Sequence, residues 1–220
     1  MGLYLRQLPI GPMQNFVYLI GNEERPEETA VIDAAWDVPA ILRVAEADGR
    51  KITHALVTHR HADHSNGVAP LLELLPVQVF AHRDDADFLA GDIPPGVVTS
   101  VSGGDVVDVG GVRIHCVHTP GHTPGSQCFH VEVGSGALLS GDTLFVNACG
   151  RCDFSGGNPE QMYESLHHVL GALPSQTTLY PGHDYGDVPV SSLQRERERN
   201  PYLLATSVQD FVRYRMRPRG

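Results

Sequence analysis

Four times along this chain an apolar, strand-like run ends on a histidine or an aspartate in a tight loop, and that recurrence restricts the fold more than any other feature. The run Ile52 to Val57 opens into Thr58-His59-Arg60-His61-Ala62-Asp63-His64, with four ligand-type side chains inside six residues. Val112 to His118 alternates as a strand does and leads to His122, in a loop stiffened by Pro120 and Pro124 and opened by Gly121 and Gly125. Ala137 to Gly141 delivers Asp142, and Thr178 to Gly182 delivers His183. Strand ends are where an α/β protein places its chemistry, because the strand is rigid and the loop beyond it is free to converge. Imidazole and carboxylate groups bind Zn²⁺, Fe or Mn²⁺, and alternate residues of an extended segment point to one side. One turn histidine or capping aspartate is ordinary loop chemistry. Four in this pattern point to a metal site.

The rest of the chain reads as alternating strands and helices. Leu3 to Leu8, Asn15 to Ile20 and Thr29 to Ala34 are expected strands, parted by the turn signals Gly11-Pro12 and Gly21-Asn22. Asp37 to Asp48 is an expected helix, capped by Asp37, ended by Gly49, with Val38, Ile41, Leu42 and Ala45 on one face. A helix from Ser65 to Leu75 stops at Pro76, a strand runs from Val77 to Ala81, and Asp84 to Ala90 is a short helix whose Asp84, Asp85 and Asp87 face solvent. Pro159 to Leu173 is a further helix with an apolar stripe of Met162, Leu166, Val169 and Leu173. His54, His115, His118, His130, His167 and His168 read as structural or surface residues, and Arg195 to Arg199 as a solvated helix laced with charge pairs.

Composition narrows the function. The 220 residues suffice for one domain, 1–220, with a substantial core. A formal net charge of −10 counts against a nucleic-acid surface, which needs a basic stripe. No apolar run is long enough to span a bilayer, and the first six residues lack a signal-peptide layout. Four cysteines make no disulfide framework, and Cys149-Gly150-Arg151-Cys152 has no second pair to complete a Cys₄ site. These features fit a reduced, cytoplasmic protein without membrane or nucleic-acid partners; a homodimer is compatible with them.

In order and context the ligand-type residues resemble the metallo-β-lactamase-fold superfamily over nearly the whole chain. The resemblance implies an α/β (α+β) fold, the four-layer αβ/βα sandwich. Carried over, its pattern makes His59, His61 and His122 ligands of one divalent metal ion and Asp63, His64 and His183 ligands of a second, with Asp142 bridging them. Two cations about 3.5–4 Å apart need a bridging anion, which a carboxylate and a shared hydroxide supply.

Within the superfamily, Gly141 to Phe145, Arg151 to Phe154 and Pro181 to Tyr185 look like the glyoxalase II-like group, which includes thioester hydrolases and persulfide dioxygenases. The leading expectation is hydrolysis of an acylglutathione-type thioester by a metal-bridging hydroxide, with Asp63 orienting it and accepting its proton. Cys149, Arg151 and Tyr185 are expected to line the substrate cavity, and Arg197, in the frame Glu196-Arg197-x-x-Asn200-Pro201, to meet a substrate carboxylate. The alternative is a glutathione persulfide dioxygenase holding one Fe(II) through His59, His122 and Asp142, a two-His-one-carboxylate site. Ala62, Cys149 to Arg151, Asp153-Phe154 and the Glu196-Arg197-x-x-Asn200-Pro201 frame fit that branch, while Pro12 to Asn15 and Thr123 to Ser126 look closer to the hydrolases. The larger glyoxalase II enzymes carry a helical domain after the last histidine; here Asp184 to Gly220 leaves room for a helix or two. A lactone or another ester is therefore a further substrate alternative.

Overall fold

The structure is a computed structural model that describes residues 2–217. Its first sheet takes six strands in chain order: β1 (Leu3–Ile10), β2 (Asn15–Asn22), β3 (Thr29–Ile32), β4 (Ile52–Leu56), β5 (Gln78–His82) and β6 (Val98–Val101). The β1–β2 and β2–β3 pairings are antiparallel, and the remaining three are parallel. The second sheet begins with the antiparallel strands β7 (Val106–Val109), β8 (Val112–His118), β9 (Gln127–Val131) and β10 (Ala137–Gly141). A small hairpin of β11 (Leu144–Phe145) and β12 (Ala148–Cys149) follows, before β13 (Thr178–Pro181) joins β10 in parallel and β14 (Ser191–Ser192) pairs with β13.

The side-chain period of two explains the layering. On β2, Phe16, Tyr18 and Ile20 enter the core between the sheets with Ile114, Phe129 and Leu139 of the second sheet. Val17 and Leu19 point the other way, into a layer closed by α1 (Val38–Ala47) and, after the short α2 (Ala62–Ser65), α3 (Val68–Leu74). Burial on both faces is why β2 shows no polar alternation. Behind the second sheet, Cys128, Leu138 and Leu179 pack under α4 (Pro159–Glu164), α5 (Leu193–Arg199) and α6 (Val208–Arg215). This is the four-layer αβ/βα sandwich. Among the described residues no helix is long and apolar enough to cross a membrane.

Strand direction brings the four loops together. Strands β8 and β10 each run antiparallel to β9, and β13 runs parallel to β10, so the ends of β8, β10 and β13 lie at one edge. The end of β4 is tied to that edge where Gln127 donates its backbone N–H to Thr58 O at 2.9 Å and its side-chain amide to Val57 O at 3.0 Å.

Three expected helices differ from the sequence pattern. The helix placed at Ser65 to Leu75 begins earlier, at Ala62, and is broken at Asn66-Gly67. Gly67 donates its N–H to Ala34 O at 3.0 Å, and a Cβ there would lie 2.7 Å from that oxygen. Asp84 to Ala90 holds only a 3₁₀ turn, Ala86–Phe88. Asp85 is not solvated but 1% exposed, and accepts from Arg60 N, Thr123 Oγ1 and Gly125 N, tying the first histidine loop to the second. The helix beginning at Pro159 widens into a π turn over Ser165–Val169 and tightens over Leu170–Ala172. The buried stripe becomes Met162, Leu166 and Leu170, while Val169 turns outward.

Candidate metal centre

All seven residues expected as ligands converge. One nitrogen from each of His59, His61 and His122 lies within 4.8 Å of the others, and ligand atoms of Asp63, His64 and His183 form a second such group. Asp142 stands between the two. Its Oδ1 is 3.2 Å from His64 Nε2 and 3.3 Å from His183 Nε2, and its Oδ2 is 3.4 Å from His122 Nε2. Asp63 Oδ2 is 3.4 Å from both His64 Nε2 and His183 Nε2.

The Nδ1 atoms explain why the Nε2 atoms face inward. His59 Nδ1 bonds Thr58 Oγ1 at 3.0 Å, His64 Nδ1 bonds Asp33 Oδ2 at 2.8 Å, His122 Nδ1 bonds Arg151 O at 2.7 Å and His183 Nδ1 bonds Met13 O at 2.9 Å. Such outer partners fix ring orientation and tautomer and leave the opposite nitrogen's lone pair aimed at the centre. Glycine makes the close approach possible at Gly182, where a Cβ would sit 2.7 Å from Asp142 Oδ1.

The donor set fits a divalent cation. His59 Nε2, His122 Nε2 and Asp142 Oδ1 are buried without a hydrogen-bond partner, a costly arrangement for lone pairs unless a cation takes them. Burial holds His59 well below the ordinary imidazole pKa, lowers His122 and brings His61 to about 4, so these rings are neutral, as ligands must be. For Asp142 burial works upward, but His64 and His183 outweigh it and keep the carboxyl well below its usual range. Burial likewise opposes charge on His64, yet Asp142 and Asp33 raise it well above the ordinary value, so a cation held by His64 would displace its Nε2 proton.

Asp33 and Asn15 belong to this centre and were missed as site residues. Asp33 accepts from Thr58 N and Thr58 Oγ1, both at 2.7 Å, as well as bonding His64, and adopts φ 55° to do so. Its signal was present: Thr29 to Ile32 is a fifth apolar strand ending on an aspartate. Asn15 donates to Asp63 O at 3.0 Å and Asp63 Oδ2 at 3.1 Å, and accepts from Trp36 Nε1 at 2.9 Å.

The centre opens into a cavity of about 540 Å³, lined in part by Cys149, Arg151 and Tyr185. Tyr185 stacks on His183 with ring centres 4.5 Å apart. Arg151 lies over Phe154 and forms a two-bond pair with Asp153 at 2.7 and 2.8 Å. Arg197 corrects its expectation, because it does not reach the cavity. Its guanidinium donates to Ser175 Oγ and to the carbonyls of Leu170, Gly171 and Leu173, closing the end of the helix that starts at Pro159. Nor is Arg195 to Arg199 wholly solvated: Glu196 is fully buried, accepting from Asn147 N at 2.7 Å and Asn200 Nδ2 at 3.1 Å.

Comparison with known proteins matches residues 10–183 to the family model of the metallo-beta-lactamase superfamily. The chain is 32% identical over 213 residues to human persulfide dioxygenase ETHE1, mitochondrial, covering 96% of this chain and 80% of that protein. It is 37% identical over 183 residues to the hydroxyacylglutathione hydrolase of Maricaulis maris, covering 83% of this chain and 67% of the relative. Among solved structures, ETHE1 from Myxococcus xanthus superposes with a TM-score of 0.87 at 32% identity, over 98% of this chain and 92% of the other.

Proposed function

The chain belongs to the metallo-beta-lactamase superfamily, and from that premise we propose that it is a metal-dependent hydrolase cleaving a thioester of the acylglutathione type. The observation that carries this reading is the pairing of two complete ligand groups around one carboxylate. His59, His61 and His122 would hold one divalent cation, Asp63, His64 and His183 the other, and Asp142 would serve both.

Cations so held lower the pKa of water toward about 7 and offset the negative charge that develops on a carbonyl oxygen. The protein's own part is orientation and proton handling. Asn15 clamps the Asp63 carboxylate through Oδ2 and so sets the direction in which it receives a proton from the attacking water. Asp33 bonds both Thr58, next to His59, and His64, and so ties the first and second ligand groups to one carboxylate. Phe145 and Phe154 give the cavity apolar wall surface. The thiolate of the substrate departs without a strong acid, because thiol pKa values are low.

A second reading has its own support. The match to ETHE1 spans 96% of this chain, against 83% for the hydroxyacylglutathione hydrolase, so persulfide oxidation at a single iron held by His59, His122 and Asp142 is the rival activity. The two part cleanly in one assay. The hydrolase reading expects thiol release from S-lactoylglutathione at equal rate with and without oxygen. Oxygen uptake with glutathione persulfide, together with no thioester cleavage under any metal, would transfer the assignment to the rival.

A further inference from the structure

Trp36, the one tryptophan of the chain, does not line the cavity, yet it is bonded toward the metal centre. It holds φ 63°, in the left-handed region that a bulky side chain rarely adopts. Two contacts secure that conformation. Its backbone N–H donates to Asn66 Oδ1 at 2.8 Å, and its indole lies against Gly11, where any Cβ would collide with Trp36 Cδ1. Backbone strain of this kind persists only where the surroundings over-determine it, and it gathers at functional sites. What the strained turn delivers is the indole N–H. Although Trp36 is 39% exposed, its Nε1 donates to Oδ1 of the buried Asn15 at 2.9 Å.

An indole N–H can only donate, so the Asn15 atom that it meets is the oxygen. The amide is thereby fixed with Nδ2 toward Asp63, donating to Asp63 O at 3.0 Å and Asp63 Oδ2 at 3.1 Å. Turned by half a rotation, the amide would set its oxygen against those two acceptors and its NH₂ against the indole N–H. Asn15 also sits beside His183: the two form a β-bridge, and Phe16 N donates to Gly182 O at 2.8 Å. Two of the three ligand-type residues of the Asp63 group therefore meet Asn15. Among the described residues, its side-chain hydrogen bonds go to Asp63 and Trp36 and to none of His59, His61 and His122.

We propose that Trp36 is a positioning residue: by locking the Asn15 amide it sets the Asp63 carboxylate for the ion of the Asp63, His64 and His183 group, and it leaves the His59, His61 and His122 group untouched. The premise is the two-group reading given above. Trp36 touches neither ion nor substrate and acts through Asn15 alone.

The test titrates metal-stripped wild type, W36F, N15A and the double variant with Zn²⁺ by calorimetry, with circular dichroism checking that each is folded. W36F removes the N–H and keeps an aromatic ring. It is expected to weaken one of two ions about tenfold, the one whose binding H183A abolishes, with the other within about twofold. N15A should weaken the same ion, and W36F should add nothing in the N15A background. Unchanged affinities in W36F, an equal loss on both ions, or additive losses in the double variant overturn the proposal; the last two are what a merely structural tryptophan gives. The single indole N–H resonance supplies a second readout that needs no W36F protein. In wild type it is expected to shift on loading with Zn²⁺, and N15A to abolish that shift and speed its solvent exchange at least about tenfold. No shift in wild type, or the same shift in N15A, overturns the proposal even if W36F fails to fold. Should one ion alone bind, the two-cation reading falls; an indole shift that N15A removes then still supports the role of Trp36, and its absence overturns it.

Discussion

Asp142 faces His64 and His183 with one oxygen and His122 with the other, so its charge is shared by both halves of the centre. Asp142→Asn keeps the shape and removes that charge, so that the two cations of the proposed centre would face each other in a low-dielectric site. Metal content and turnover are expected to fall together, as read by elemental analysis and a thioester assay; full metal content with normal turnover would show the role misassigned. Asp33 tests the outer layer. Asp33→Ala frees both Thr58 and His64, and metal affinity measured by chelator competition should drop by about 10–100-fold. The seven ligand-type residues were legible because each follows a strand run, a pattern that survives without any view of the fold. Asp33 follows the same pattern, but its partner His64 lies 31 residues away, and a strand-end aspartate alone does not say whether it meets a metal or a ligand's ring.

At the scale of elements, the frame Glu196-Arg197-x-x-Asn200 turns out to brace the cavity from behind. Asn200 Nδ2 donates to Phe145 O at 3.2 Å and Ala148 O at 3.0 Å, the two ends of the β11–β12 turn that precedes Cys149 and Arg151. Asn200→Ala leaves those carbonyls and Glu196 short of a donor, and should cost about 1–3 kcal/mol in denaturant melts while raising KM. By the same reasoning Arg197→Ala should lower stability and leave KM for glutathione-derived substrates unchanged, since its donors are spent on Leu170, Gly171 and Leu173. Charge alternation in this segment suggested a solvated helix because composition does not reveal that one glutamate of the series is the buried acceptor. Strands β1 to β5, β8, β10 and β13 were readable from their apolar runs, and α1 from its periodicity and from Asp37, whose side chain does accept from Ala40 N at 2.8 Å. The break at Gly67 and the π turn at Ser165–Val169 were not, because each is imposed by a neighbour: the Ala34 backbone in the first case, and in the second a packed stripe at Met162, Leu166 and Leu170.

For the molecule as a whole, the centre ties the two sheets together, since His59, His61 and His64 follow the first sheet while His122, Asp142 and His183 follow the second. Cation binding is then coupled to global stability. At about a hundredfold excess over Kd the linkage amounts to about 2.7 kcal/mol, and a chain of this size moves about 2–4 °C per kcal/mol. Chelation should therefore lower Tm by about 5–10 °C, reversibly on adding Zn²⁺. Activity tests the central claim more directly. Metal-stripped protein titrated with Zn²⁺ under anaerobic conditions, with S-lactoylglutathione cleavage followed at each step, is expected to reach its plateau at two ions per chain. A plateau at one ion, or turnover that appears only with Fe²⁺ and oxygen, would contradict a two-cation hydrolase.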